Sequence, residues 1–151
     1  MASELVVRQV RCLEDIGPAT WNALLAHCPD ATCFQSYEWF SCWWKVFGPG
    51  KELFLLSAYR DGLLVGVAPM YRDANALHFV GEGHSDYNMF VWHEREPDVV
   101  DLLLATILDT LQTRSVLFYE VPEKSRLGSS LSGICLLYTS DAADDEYNVL
   151  G

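Results

Sequence analysis

The dipeptide Asp61-Gly62 constrains this chain more than any other feature, because it stands between two strand-like runs, Leu53 to Arg60 and Leu63 to Tyr71. Asp-Gly readily supplies the positive φ angles of a type I′ turn, whose twist matches that of antiparallel strands, so the segment predicts a β-hairpin. Pro69 lies in the second arm and has no N–H for a ladder; that strand is expected to end, bulge or face an edge there. A hairpin alone is marginal in water and needs a cover. Pro97 opens a helical stretch in which Val100, Leu103, Leu104, Ile107, Leu108 and Leu111 form one apolar stripe. Burying such side chains stabilises by about 1.5–3 kcal/mol each, which makes this helix a principal part of the core.

Other elements fall around these two. Glu4 to Cys12 is β-branched and bounded by Leu13-Glu14-Asp15, a first strand. Pro18 suits the opening turn of a helix carrying Trp21, Leu24, Leu25 and Cys28 at helical spacing, ended by Pro29-Asp30. Ser36 caps a second helix with Phe40, Trp43, Trp44 and Phe47 on one face, stopped by Gly48-Pro49-Gly50. Ala76 to Val80 reads as a strand, Met89 to Trp92 as a short one, and Ser115 to Val121 as a strand ending at Pro122. Ser125 caps a further helix. This order predicts an α/β (α+β) chain: a mixed, mostly antiparallel sheet with helices on both faces.

Composition narrows the function. Half of the 151 residues are apolar and 13% are aromatic, which excludes a disordered chain. With 21 acidic residues against ten basic ones, the net charge of −11 argues against a nucleic-acid partner. No apolar run approaches the roughly 18 residues of a membrane span, and the opening MASELVVRQV lacks the pattern of a signal peptide. The cysteines at 12, 28, 33, 42 and 135 are odd in number and form no CxxC pair, so reduced thiols in a cytoplasmic protein are expected. Cys42, mid-helix among apolar neighbours, reads as a small buried hydrophobe.

The segment Cys135 to Asp145, CLLYTSDAADD, resembles the translated frame of a transposase-type sequencing adapter. Residues 135–151 are therefore expected to be a non-native tail, which leaves 1–134 as the natural part of a truncated chain.

Several phrases of the sequence together resemble a family. Phe34-Gln35-Ser36-Tyr37-Glu38-Trp39, followed by Trp43-Trp44 and Phe47-Gly48, is similar to the opening of CelD-type, FemAB-related proteins of the GNAT acyltransferase superfamily. Asp61 to Tyr71 is similar to that family's second motif, and Phe79-Val80-Gly81, Ser85-Asp86-Tyr87 and Val121-Pro122-Glu123-Lys124-Ser125 complete the likeness. It implies a bacterial protein of two tandem GNAT-like halves, of which 1–134 is the first, truncated half-domain. The implied reaction moves an acyl group from an acyl-CoA-type thioester to an amine or hydroxyl of a sugar, polysaccharide precursor or small metabolite. Alternatives are a non-catalytic acceptor-binding or structural half, or FemAB-like aminoacyl transfer.

GNAT enzymes cradle the coenzyme A pyrophosphate on an RxxGxG/A-type loop at a helix start, where amides and the helix dipole face a dianion. The corresponding stretches here, Gly81 to Tyr87 and Glu94 to Asp98, carry Glu82, Asp86, Glu94, Glu96 and Asp98, and Pro97 removes an amide. The resemblance puts the acyl-donor site in the missing second half, so no cofactor-binding residue is assigned in this fragment and acyl-CoA is a co-substrate of the whole protein.

The site candidates are His84, Asp86 and Tyr87, in a polar, glycine-bearing connection between buried elements. A carboxylate or imidazole there can take a proton from an attacking amine or orient the acceptor; a capping Asp86 and a packed Tyr87 are the structural alternative. Trp39 falls beside the apolar stripe of its helix and can line an acceptor cleft. His78, His84, Asp86 and His93 follow no zinc spacing, so no metal is expected. His27 is expected to complement the end of the first helix. No Gly-x-Ser-x-Gly elbow occurs.

Overall fold

The computed structural model describes residues 3–111, 115–134 and 147–150. The adapter-like string Cys135 to Asp145 lies outside them. The order is β1 (Leu5–Val10), α1 (Pro18–Leu25), α2 (Tyr37–Phe47), β2 (Glu52–Arg60), β3 (Leu63–Asp73), β4 (Ala76–Phe79), β5 (Val91–Trp92), α3 (Asp98–Leu111), β6 (Ser115–Phe118), α4 (Arg126–Ile134) and β7 (Tyr147–Leu150). The strands form one sheet in the order β1-β2-β3-β4-β6-β7, with β5 also on β3. Every pairing is antiparallel except β4 with β6, which is parallel through Ala76 opposite Ser115 and Leu77 opposite Val116.

The hairpin forms where the sequence places it. Asp61 and Gly62 have φ of 52° and 77°, the two positive angles of the expected turn. Its two faces carry different helices. Gly66 lies under α3, where an added Cβ would stand 2.8 Å from a Val99 methyl and 3.2 Å from Leu103. Tyr71, on the other face, packs against Trp43 and Trp44 of α2. Helices thus cover both faces, and Val100, Leu103, Leu104 and Ile107 are buried as the stripe requires.

Pro69 acts differently from expectation. β3 runs through it and is not at the sheet's edge; the neighbouring strand leaves instead. β4 pairs Phe79 with Met70, and Val80 N–H still reaches the Pro69 carbonyl at 2.9 Å. The chain then departs and returns as β5, which pairs Val91 with Val67. The flank of β3 that lacks a donor therefore faces the gap, so no N–H is left without a partner there.

Several expectations need correction. α1 ends at Leu25, and Cys28 is buried beyond it in a following turn. His27 likewise lies past the helix; its ring stacks on His93 at 4.7 Å, and its Nδ1 is 3.5 Å from Glu94 Oε1. Cys42 is exposed, not buried. Phe47 is 39% exposed, because it sits on α2's last turn and lies over His84 rather than in the core. β6 stops at Phe118 instead of Val121, since Glu120 takes a left-handed φ of 55° and breaks the extended backbone. The four described cysteines are free. Among the described residues no helix is long and apolar enough to cross a membrane.

Candidate functional site

In open sheets, ligands gather in the crevice beyond the carboxyl ends of parallel strands. Here that means the loops after β4 and β6. The first, Gly81 to Phe90, is the excursion between β4 and β5, and it contains His84, Asp86 and Tyr87. The second, Tyr119 to Ser125, leads into α4.

The first loop is clasped by the segment that opens α2. Gln35 is 1% exposed, and its Nε2 donates to the Tyr87 carbonyl at 2.8 Å while its Oε1 accepts from the Thr32 amide and hydroxyl at 2.8 and 2.7 Å. Ser36 caps α2 by accepting from the Trp39 amide. The Trp39 indole donates to Ser85 Oγ at 2.7 Å, and its ring meets Phe34 edge-on, which in turn packs against Tyr87. Gly81 is needed at the start of the loop: its φ is 105°, and a Cβ would lie 2.5 Å from Ser85 Oγ. The Phe-Gln-Ser-Tyr-Glu-Trp phrase is thus the clamp of this loop.

The far side of the loop is fastened to β6. Asn88 is buried; its amide donates to the Glu120 carbonyl at 2.9 Å and its side chain to the Tyr119 carbonyl at 3.1 Å. Phe90 fills the space below, against Phe79, which packs on Phe118. Sequence reading did not single out Asn88 or Glu120, because their partners are remote in the chain and leave no periodic signal; Gln35 did have a local signal, the Thr32-x-x-Gln35 capping box.

The three candidates are held on one loop but aim apart. Asp86 and Tyr87, both exposed, line a 280 Å³ cavity with Glu120, Val121 and Pro122. Tyr87 also borders an adjoining 250 Å³ depression with Asp30, Thr32, Met89, Lys124 and Ser125. His84 turns onto α2: its Nδ1 accepts from the Trp43 indole at 3.0 Å and its ring stacks on Phe47 at 4.4 Å. Its neutral ring therefore carries its proton on Nε2. Trp39 lines neither cavity and serves the loop through Ser85. Against Trp43 and His78, burial and then the carboxylates of Glu82 and Asp73 push the Tyr71 phenol above its ordinary range. Among the described residues no three His, Cys, Asp or Glu side chains are grouped to hold a metal ion.

The helix starts do not fit a pyrophosphate. Asp30 accepts the Arg126 amide at 2.9 Å, and Ser125 Oγ accepts the Gly128 amide at 3.0 Å, so α4 opens onto the chain's own groups. α3 follows Pro97, which has no N–H, and carries Asp98 and Asp101 in its first turn. In the glycine loop the amides of Glu82, His84 and Ser85 turn inward to the Phe79 and Gly81 carbonyls. A dianion at these places meets carboxylates and few free amides.

No protein-family model matches the chain, and no curated protein matches it significantly. Solved structures do. One is the PaiA N-acetyltransferase from Thermoplasma acidophilum in complex with coenzyme A, with a TM-score of 0.53 and 14% identity, covering 98% of this chain and 99% of that one. Another is the ribosomal-protein-S18-alanine N-acetyltransferase from Escherichia coli, with a TM-score of 0.56 and 7% identity over 96% of this chain and 90% of that one. At these identities the likeness is one of architecture. The chain has the fold of the GNAT N-acetyltransferases.

Proposed function

We propose that this chain is the acceptor-binding unit of a GNAT-type acyltransferase. The whole protein transfers an acyl group from an acyl-CoA-type thioester to an amine or hydroxyl of a sugar, polysaccharide precursor or small metabolite. The observation that carries this reading is the meeting of Asp86 and Tyr87 with Glu120 to Pro122 at the carboxyl ends of β4 and β6. Two carboxylates beside a half-exposed phenol ring suit an acceptor that arrives as an ammonium ion or an amino sugar. After the amine loses its proton its nitrogen can attack a thioester carbonyl, with Asp86 as the group placed to hold or receive that proton.

A second reading, an acceptor-binding or structural half without catalysis of its own, is favoured by the helix starts of α3 and α4, which face carboxylates. The two readings join if the donor site lies in a second GNAT-like half. In this proposal the protein works in the cytoplasm and residues 135–151 are foreign to it. The pairing of β7 with β6 does not contradict that, because an open strand edge accepts the backbone of many sequences.

The test is Asp86→Asn in the intact enzyme, measured with amine acceptors. The expected result is a fall in kcat/KM of at least about tenfold with an almost unchanged melting temperature. Normal kinetics accompanied by a large loss of melting temperature would assign Asp86 to a structural cap.

A further inference from the structure

A second, roomier cavity shares no residue with the crevice at Asp86. It has a volume of 650 Å³ and lies at the turn end of the β2–β3 hairpin, against α1 and the segment between β5 and α3. Its size is that of a small-molecule site. Leu24 and Val65 are buried beneath it, Ala19, Ala23 and Leu64 continue the apolar lining, and Leu63 stands 71% exposed on its wall. An exposed leucine on a concave apolar lining gains from any apolar body placed against it.

The polar groups of this cavity are mostly donors. Arg60 is not free to act: its Nε and Nη2 form a fork with Glu96, its Nη1 donates to the Ser3 carbonyl, and Glu96 is thereby spent as an acceptor. Arg95 differs. Its guanidinium has no carboxylate partner among the described residues, although its own amide donates to His93 Nδ1 at 3.1 Å. That bond leaves the neutral His93 ring with its proton on Nε2, another donor. His27 stacks on His93 at 4.7 Å with its Nδ1 toward Glu94, and its Nε2 has no partner among the described residues. Asp61 is the one lining carboxylate not already paired, and it belongs to the hairpin turn.

We infer that this cavity is a binding site for a small carboxylic acid with an apolar chain or ring. The carboxylate lies against Arg95 and the His27–His93 pair, and the apolar body covers Leu24, Leu63, Leu64 and Val65. Asp61 repels the charged end and so sets the ligand's direction. An arginine fork with flanking N–H donors matches a carboxylate better than an alcohol or amide.

The experiment is an NMR titration of the full chain, following backbone amides, with hexanoate, hexanamide and hexylammonium as probes. Hexanoate is expected to shift Leu63, Leu64, Val65, His93 and Arg95 with a Kd near or below about 1 mM, and the other two to bind about tenfold more weakly. Arg95→Gln, at an exposed position, is expected to remove that preference while hexanamide binding stays unchanged. The inference is overturned if hexylammonium binds as well as hexanoate, if Arg95→Gln leaves hexanoate binding intact, or if no probe shifts these amides. Acyl transfer does not enter the readout, so failure here is distinguishable from failure of the acceptor reading.

Discussion

Gln35→Met asks whether the clamp on the Gly81–Phe90 loop is held by hydrogen bonds or by packing. Methionine is close to glutamine in shape and volume, so the change leaves little cavity. It removes the acceptor of the Thr32 amide and hydroxyl and the donor to the Tyr87 carbonyl. The Thr32 hydroxyl can rotate to another partner; the two backbone groups cannot. Leaving a buried polar group without a partner destabilises by about 1–3 kcal/mol, and these are partly buried, so about 2–3 kcal/mol in total is expected. With an m-value near 2 kcal/mol/M in urea, the unfolding midpoint should fall by about 1 M or slightly more at constant m. Amide exchange of residues 82–90 should accelerate more than that of α3, because the lost bond ties Tyr87 and not the core. A change below about 0.5 kcal/mol would refute the hydrogen-bond account. Exchange accelerated equally in the loop and α3 would show that Gln35 supports the core.

Tyr71 governs alkaline behaviour. Its phenol is held neutral in the fold, whereas an unfolded tyrosine ionises near pH 10. The stability it contributes is present below the unfolded value and lost as pH rises toward the folded one, by at most about 1.4 kcal/mol per pH unit. Tyr71→Phe should flatten the decline in urea-unfolding stability between pH 9 and 11, and parallel curves would refute this. Calorimetric titration of the chain with acetyl-coenzyme A should give a Kd no tighter than about 10 μM, since a tighter specific site would place the donor within this chain. Re-amplification of the locus with outside primers should give codons after roughly Ile134 that differ from the adapter frame; a genomic clone encoding CLLYTSDAADD in place would refute the foreign tail.

The elements legible in the sequence were those whose cause is local. Asp61-Gly62 made its turn, Ser36 and Ser125 capped their helices, and the Val100–Ile107 stripe was buried, because each depends on residues a few positions apart. Misread positions depend on remote partners. Phe47 looked like core by spacing, yet a histidine from another loop lies against it. The end of β6 could not be read because Asn88 takes the Tyr119 and Glu120 carbonyls that a longer strand would use. For the site, the loop itself was legible from its glycines and polar residues. Its inner division, with Asp86 and Tyr87 toward Glu120 and His84 toward Trp43, was not. The histidine stack of the larger cavity gave no pattern at all, since two distant single residues have no period.

The interruption between β4 and β5 has a consequence for how such a chain can diversify. Both ends of the excursion are registered on β3, Phe79 against Met70 and Val91 against Val67; the Pro69 carbonyl is taken by the Val80 amide, and Pro69 has no N–H to present to the gap. The sheet therefore fixes the two points where the loop begins and ends, whatever lies between. Segments of other length and composition can be exchanged here as a cassette without moving a single rung of the ladder, provided Gly81 and an acceptor for Gln35 remain. Swapping that cassette changes which groups meet Glu120 while the scaffold is inherited intact.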